Sequence, residues 1–241
     1  MQTYSSPFYK MLTATSQPSA SLIVPIVMDL VQPRSVIDLG CGPGAWLAVF
    51  KQAGVETVLG VDGDFIDRTS LQIAAAEFQA HDLNIPFAAP KRYDLAMSVE
   101  VGEHLKPASA RMFVGELAGL SDVVLFSAAI PYQGGDGHIN QQWPSYWAAL
   151  FKERGYIAID CIRDRIWNDS SVSWWFAQNL LVYANEAALE RHPQLAALRR
   201  PGDFVRDMVH PRLWDKKVGI PKRKKEKIKA LFRFPGCKAR D

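Results

Sequence analysis

VIDLGCGPGAWL, residues 36–47, runs from a short β-rich segment into a glycine-rich turn and out again into the start of an apolar helix. Within it Asp38, Gly40, Gly42 and Gly44 form D-x-G-x-G-x-G. Glycine lets the backbone turn sharply and approach a ligand closely, and the helix start presents unpaired N–H groups. A bound cofactor is implied. Gly40, Gly42 and Ala45 also fit the dinucleotide pattern G-x-G-x-x-G/A, and Asp62 lies 20 residues past Gly42, where a ribose-binding acid belongs. This loop alone leaves the choice of cofactor open.

Outward from the loop the pattern alternates. Ser19 to Val31 reads as an apolar-faced helix after about 18 residues without clear periodicity. AWLAVFKQAG is a helix with Gly54 past its end, ETVLGVDG a second buried strand, EFQAHDL a third and RYDLAMSV a fourth. ARMFVGELAGL is a helix, DVVLFSAA a fifth strand, and PSYWAALFKERG a helix opening on Pro. YIAIDCI and VSWWFAQNLLVYA then read as two strands with no helix between them, and hence antiparallel. In that reading Trp174 and Trp175 alternate between the two faces of a strand. The whole is an α/β chain with a mostly parallel sheet and an antiparallel end.

Three features choose among cofactors. Asp38 places a carboxylate beside the ligand, unfavourable near a pyrophosphate but useful near a sulfonium or ammonium group. Asp82, ending the third strand, could accept from an adenine amine, and the last two strands form a hairpin. This constellation resembles the class I S-adenosylmethionine-dependent methyltransferases, from about Ser19 to Asn185. The resemblance implies a Rossmann-like, seven-stranded sheet of order 3-2-1-4-5-7-6. It further implies that Asp38 and the Gly40–Gly44 loop hold the methionine end of the cofactor, that Asp62 binds the ribose hydroxyls, and that Asp82 and Leu83 contact the adenine. Ser98 to Glu100 would line the floor beside the sulfonium.

SVEVGEHL, residues 98–105, sets Glu100, Glu103 and His104 at i, i+3 and i+4, on one face if the chain is helical there. The E-x-x-E-H pattern resembles two groups of that superfamily, the small-RNA 3′-terminal 2′-O-methyltransferases and the ubiquinone-pathway O-methyltransferases. There two Glu and a His hold a divalent cation, and the small-RNA group adds a downstream His, whose counterpart here is His138. A cation such as Mg²⁺ or Mn²⁺ would lower the pKa of an acceptor hydroxyl. The same pattern occurs in methyltransferases without a metal, in which case His104 or His138 is the candidate general base, with Glu100 beside it.

The region IPYQGGDGHINQQWPSYW, residues 130–147, interleaves Tyr132, Trp143, Tyr146 and Trp147 with amides and His138. Flat aromatics and amides suit a saccharide or other polar small-molecule acceptor better than a lipid chain. Trp143 and Trp147, four apart, equally suit the packing of one helix on the sheet. No Asn/Asp-Pro-Pro-Tyr/Phe motif follows the fourth strand, which lowers amino-group methylation. The expected reaction is O-methylation, with an RNA 2′-hydroxyl as the alternative acceptor and a non-catalytic cofactor-binding module as the alternative of another class. Tyr4 and Tyr9 are candidates for a lid.

The chain of 241 residues carries a formal charge of +3, unevenly spread. From Lys216 onward 11 Lys/Arg stand against Glu226 and Asp241, a net of +9, leaving −6 for residues 1–215. The expected organisation is therefore a catalytic domain over 1–215 and a basic extension over 216–241, suited to an anionic membrane surface and, less well, to nucleic acid. Cys41, Cys161 and Cys237 match neither a disulfide frame nor zinc spacing. With no signal-like start and no apolar run of about 18–20 residues, the expectation is a cytoplasmic protein, peripheral at the inner membrane face if the extension binds lipid.

Overall fold

In the computed structural model residues 6–89 and 91–218 are described, 6–15 and 203 as backbone only. Seven strands form one sheet: β1 (Ser35–Leu39), β2 (Thr57–Asp62), β3 (Phe78–Ala80), β4 (Leu95–Val99), β5 (Val123–Ser127), β6 (Tyr156–Ile159) and β7 (Leu181–Asn185). Their order is β3-β2-β1-β4-β5-β7-β6, as the resemblance implies. β7 runs antiparallel to both β5 and β6, and the other neighbouring strands pair in parallel. Near-continuous burial along β1, β4 and β5 is what a sheet covered on both faces requires.

One face is covered by α1 (Ser6–Val31) and α2 (Ala45–Gln52). Ala20, Ile23, Val24, Val27 and Val31 make an apolar stripe that joins Trp46, Val49 and Phe50 in one core. The other face is covered by α3 (Ala110–Leu120) and α4 (Pro144–Lys152), whose Phe113, Val114, Leu117, Trp147 and Phe151 pack with Phe126 and Tyr183. Trp147 is fully buried against Phe126, while Trp143 precedes the helix and is half-buried. The two tryptophans therefore do not share a helix face.

The sequence reading differs from the structure in three places. α1 begins at Ser6 rather than Ser19 and runs through Pro18 and Pro25. Proline removes a helical hydrogen bond and argues locally for a break, but the buried stripe outweighs that cost. Two short helices, α5 (Arg163–Ile166) and α6 (Trp174–Asn179), lie between β6 and β7, although the two strands do pair antiparallel. WWFAQN is thus helical rather than extended. Four consecutive residues, Phe176 to Asn179, are buried, as consecutive residues are along β1, β4 and β5, so burial and composition there suit either a strand or a short helix. Asp82 lies two residues beyond the short β3 instead of ending it.

After β7 come α7 (Glu186–Arg191) and α8 (Pro193–Ala196). The compact units are Met1–Met208 and Val209–Asp241, dividing seven residues before the boundary expected from charge. The second unit contains α9 (Pro211–Val218), with Leu213 buried and Trp214 and Val218 exposed. The rest of the basic extension and Tyr4 of the expected lid lie outside the described residues, as does the side chain of Tyr9. No helix among the described residues is long and apolar enough to cross a membrane.

A buried ion-pair network fixes the end of β6. Arg163 is fully buried and grips Asp160 through Nε and Nη2 at 2.9 and 2.8 Å, while its Nη1 donates to the carbonyls of Gln178 and Arg206. Arg206 donates to the same carboxylate at 2.9 Å. Burial pushes the Asp160 carboxyl up, but the bonds and charges of Arg163 and Arg206 outweigh it, and its pKa lies below the usual range. Asp160→Ala should destabilise the fold by about 3 kcal/mol near neutral pH, because it leaves Arg163 buried without its counter-charge. A carboxylate with a depressed folded pKa stabilises above its unfolded value of about 3.9, and that contribution disappears as pH falls through the folded value. Urea denaturation should therefore separate wild type from variant at pH 7 and bring the two curves together at strongly acid pH; an equal gap at both would contradict this.

Candidate active site

The carboxyl ends of β1, β2 and β4 converge where open α/β sheets bind ligands. From β1 the chain passes into the glycine loop, where Gly40, Gly42 and Gly44 all have positive φ. At Gly40 a side chain is doubly excluded, since φ is +89° and a Cβ would lie 2.3 Å from Val101 Cγ2. At Gly42 a Cβ would meet nothing within 4 Å, so open space lies in front of the loop. The loop is tied to β2 by Gly40 and Cys41 N–H groups on the Val61 carbonyl. Asp62, closing β2, accepts from Gly42 N–H at 2.7 Å through one carboxylate oxygen and from Gly63 N–H at 2.6 Å through the other. Burial raises the Asp62 carboxyl and the two N–H groups oppose the rise.

Asp38 stands beside it in a different condition. It is 2% exposed, and its pKa lies well above the ordinary range, first through burial and then through the charge of Asp62. Among the described residues neither a hydrogen bond nor a cation offsets this. A buried acid in that state favours a ligand that brings positive charge. The open space at Gly42 and this uncompensated acid fit the methionine end of S-adenosylmethionine.

The remaining cofactor candidates are placed as follows. Asp82 is half-buried and accepts at 3.0 Å from both the backbone and the side-chain N–H of Asn84, which hold its carboxyl below the usual range. Leu83 is buried in the core with Ile37, Leu39 and Val61. Ser98 is fully buried and its hydroxyl donates to the Leu39 carbonyl at 2.7 Å, stitching β4 to the end of β1.

At the end of β4, Glu100 does not begin a helix. It takes a left-handed φ of +56°, with its N–H bonded to the Ser127 carbonyl, and a short 3-10 turn over Gly102–His104 follows. The i, i+3, i+4 face expected for Glu100, Glu103 and His104 is therefore not formed. A non-glycine residue held at positive φ is costly and marks a locally over-determined site. The Glu100 carboxylate turns toward α6 and accepts from Asn179 Nδ2 at 3.0 Å and Gln133 Nε2 at 3.1 Å. Gln178 closes the network by donating to Gln133 Oε1 at 3.0 Å. Asn179 and Gln178 carry no motif in the sequence. Their only mark is a pair of adjacent amides ending an apolar run.

Glu103 lies behind this network, fully buried, with no aligned hydrogen bond to either carboxylate oxygen. Burial first, then the charge of Glu100, push its carboxyl well above the usual range. Glu100 is also raised by burial, but the amide donors oppose that. Of this carboxyl pair, Glu103 is the one pushed further up. The loop after β5 is clipped over it: Ile139 and Asn140 N–H groups both donate to the Glu103 carbonyl, and Asn140 Nδ2 donates to that of Gly102.

That loop delivers His138. Its ring meets His104 edge-on at 4.7 Å between centroids, and His138 Nε2 faces Glu103 Oε1 at 4.0 Å. Gly135 makes room for it, since a Cβ there would lie 2.2 Å from Nε2. Burial and the neighbouring His104 lower the His138 pKa to about 4, against the opposing charge of Asp136. His104 is also lowered by burial, while its hydrogen bond to the Gly137 backbone opposes this. Both rings are neutral near pH 7.

Glu103, His104 and His138 offer ligand atoms within 4.8 Å of one another, and the unpartnered Glu103 oxygens lend the cluster some fitness for a cation. The rest of the expected ligand set is otherwise engaged. Glu100 accepts from two amides, and His138 Nδ1 is met at 3.1 Å by Gln141 Nε2. Glu100 is not part of that grouping, so of the four expected ligands the structure brings together Glu103, His104 and His138.

Comparison with known proteins agrees with the fold. A family profile described as a methyltransferase domain matches residues 19–178. Malonyl-[acyl-carrier protein] O-methyltransferase of Pseudescherichia vulneris is 37% identical over 68 residues, 28% of this chain and only 27% of that protein. An O-methyltransferase family protein from Burkholderia thailandensis superposes with a TM-score of 0.56 at 15% identity, over 74% of this chain and 58% of that one. DesVI of Streptomyces venezuelae gives 0.54 at 13%, over 77% of this chain and all (100%) of that one. The methyltransferase domain of bacterial CtHen1-C gives 0.50 at 20%, over 70% and 97%. At such identities the structural neighbours speak for the fold alone, whereas the profile spans well over half of the sequence: the chain belongs to the methyltransferase-domain family.

Proposed function

We propose that this chain transfers the methyl group of S-adenosylmethionine to a hydroxyl oxygen of a saccharide or related polar small molecule. The observation that carries the reading is the pair of neutral imidazoles, His104 and His138, at the carboxyl edge, joined to the glycine loop through Val101. A neutral imidazole can take the proton of an attacking hydroxyl at physiological pH. When bound, S-adenosylmethionine would supply an electrophilic methyl carried on a positively charged sulfur. Asp38 favours the positive donor, Asp62 and the Gly42 segment orient its ribose side, and His104 receives the acceptor proton. Exposed Tyr132, with Gln142 and His138, supplies the mixed aromatic and amide surface that polyhydroxylated acceptors favour.

The metal-assisted version rests on the 4.8 Å grouping of Glu103, His104 and His138, and bound Mg²⁺ or Mn²⁺ would lower the acceptor pKa. The engagement of Glu100 and His138 by amides weighs against it. Transfer of labelled methyl from S-adenosylmethionine into saccharide, polar-metabolite and RNA pools tests the reading. We expect label in the saccharide or metabolite fraction, insensitive to EDTA, and a loss of about 10²- to 10⁴-fold in His104→Ala. Label in RNA alone would move the acceptor to a 2′-hydroxyl. Cofactor binding without transfer to any pool would favour a regulatory module.

We also infer an anionic membrane surface as the partner of the second unit. Exposed Trp214 and Val218 lie one turn apart on α9 beside Lys216 and Lys217, and the extension from Lys216 carries a net +9. Co-sedimentation with phosphatidylserine vesicles should fall at high salt and on deleting residues 209–241. Equal behaviour with neutral vesicles, or binding to RNA instead, would contradict it.

A further inference from the structure

His138 is held by a relay that assigns its ring protons. Tyr132, in a left-handed conformation with φ +66°, donates its N–H to Gln141 Oε1 at 3.1 Å. That bond fixes which end of the amide is oxygen, so the group meeting His138 Nδ1 at 3.1 Å is the amide NH₂. An NH₂ can only donate, and Nδ1 must therefore accept. In the neutral ring the single proton then sits on Nε2, which faces Glu103 at 4.0 Å and the edge of His104.

We propose that Gln141 is a positioning residue that keeps His138 in its Nε2–H form, so that His138 acts as a hydrogen-bond donor in the site and His104 is the base. The assignment deepens the transfer reading and rests on it for its functional meaning. It places a donor on the side of Glu103, whose carboxylate oxygens make no aligned hydrogen bond. It also weighs against a cation at the cluster. Ligation through Nε2 needs a lone pair there and a proton on Nδ1, which would set N–H against N–H at Gln141 unless the amide turned. Turning it would in turn deprive Tyr132 N–H of its acceptor.

The test is two-bond ¹H–¹⁵N correlation on ring-labelled, ligand-free protein at pH 7, with the His138 signals identified as those missing from His138→Gln. The wild type is expected to give the Nε2-protonated pattern. Gln141→Glu, whose carboxylate accepts but cannot donate, is expected to give the Nδ1-protonated pattern, to lower kcat about tenfold with little change in KM for the donor, and to take up Mn²⁺ where the wild type does not. Gln141→Leu, which can do neither, should mix the two forms. A wild-type ring protonated on Nδ1, the same pattern in wild type and Gln141→Glu, or His138-dependent Mn²⁺ uptake by the wild type would each overturn the assignment. The spectra need no turnover, so failure of the transfer reading and failure of this assignment are separable.

Discussion

Four carboxylates, Asp38, Asp62, Glu100 and Glu103, lie along one edge of the sheet, the first and last buried and the other two half-buried, and among the described residues none of them faces a lysine or arginine in a salt bridge. Concentrated buried negative charge is costly, and each acid is relieved differently. Asp62 is held by two backbone N–H groups, which also fix the glycine loop. Glu100 is held by amides from α6 and from the loop after β5. Glu103 has its carboxyl pushed well above the usual range by burial and by Glu100. Asp38 has none of these, and the charge it lacks is the one a sulfonium or ammonium brings. The architecture follows from this constraint: the left-handed turns, the strained Glu100 and the clipped loop all serve to keep those groups in place.

Much of this was legible in the sequence because the relevant signals are local. Asp38, the three loop glycines and Asp62 sit at strand ends set by β-rich apolar runs, and the parallel order follows from alternation of strand and helix. What could not be read depends on contacts far apart along the chain. Nothing near Asn179 says that it reaches Glu100, 79 residues away. WWFAQN has a strand's composition, and a short run buried on all sides does not by itself tell a strand from a helix. Likewise Pro18 and Pro25 look like stops until the buried stripe of α1 is seen.

The spacing of Glu100, Glu103 and His104 invited a helical face and hence one cation. The left-handed turn at Glu100 breaks that face, sending Glu100 toward the amides while Glu103 and His104 follow in a separate 3-10 turn. Spacing constrains side-chain direction only once the backbone is known. The same two carboxylates and two imidazoles can therefore serve as a proton site in one chain and a ligand set in another, and hydrogen bonds such as that from Gln141 choose between them.

The central claim is that the uncompensated Asp38 is half of an ion pair completed by the methyl donor. Calorimetric titration of S-adenosylmethionine and its neutral-sulfur product, S-adenosylhomocysteine, into wild type and Asp38→Asn tests it directly. The account predicts micromolar binding of both by the wild type and a weakening of about tenfold or more in the variant, larger for the sulfonium. Failure of the wild type to bind either, or undiminished affinity in Asp38→Asn, would contradict it.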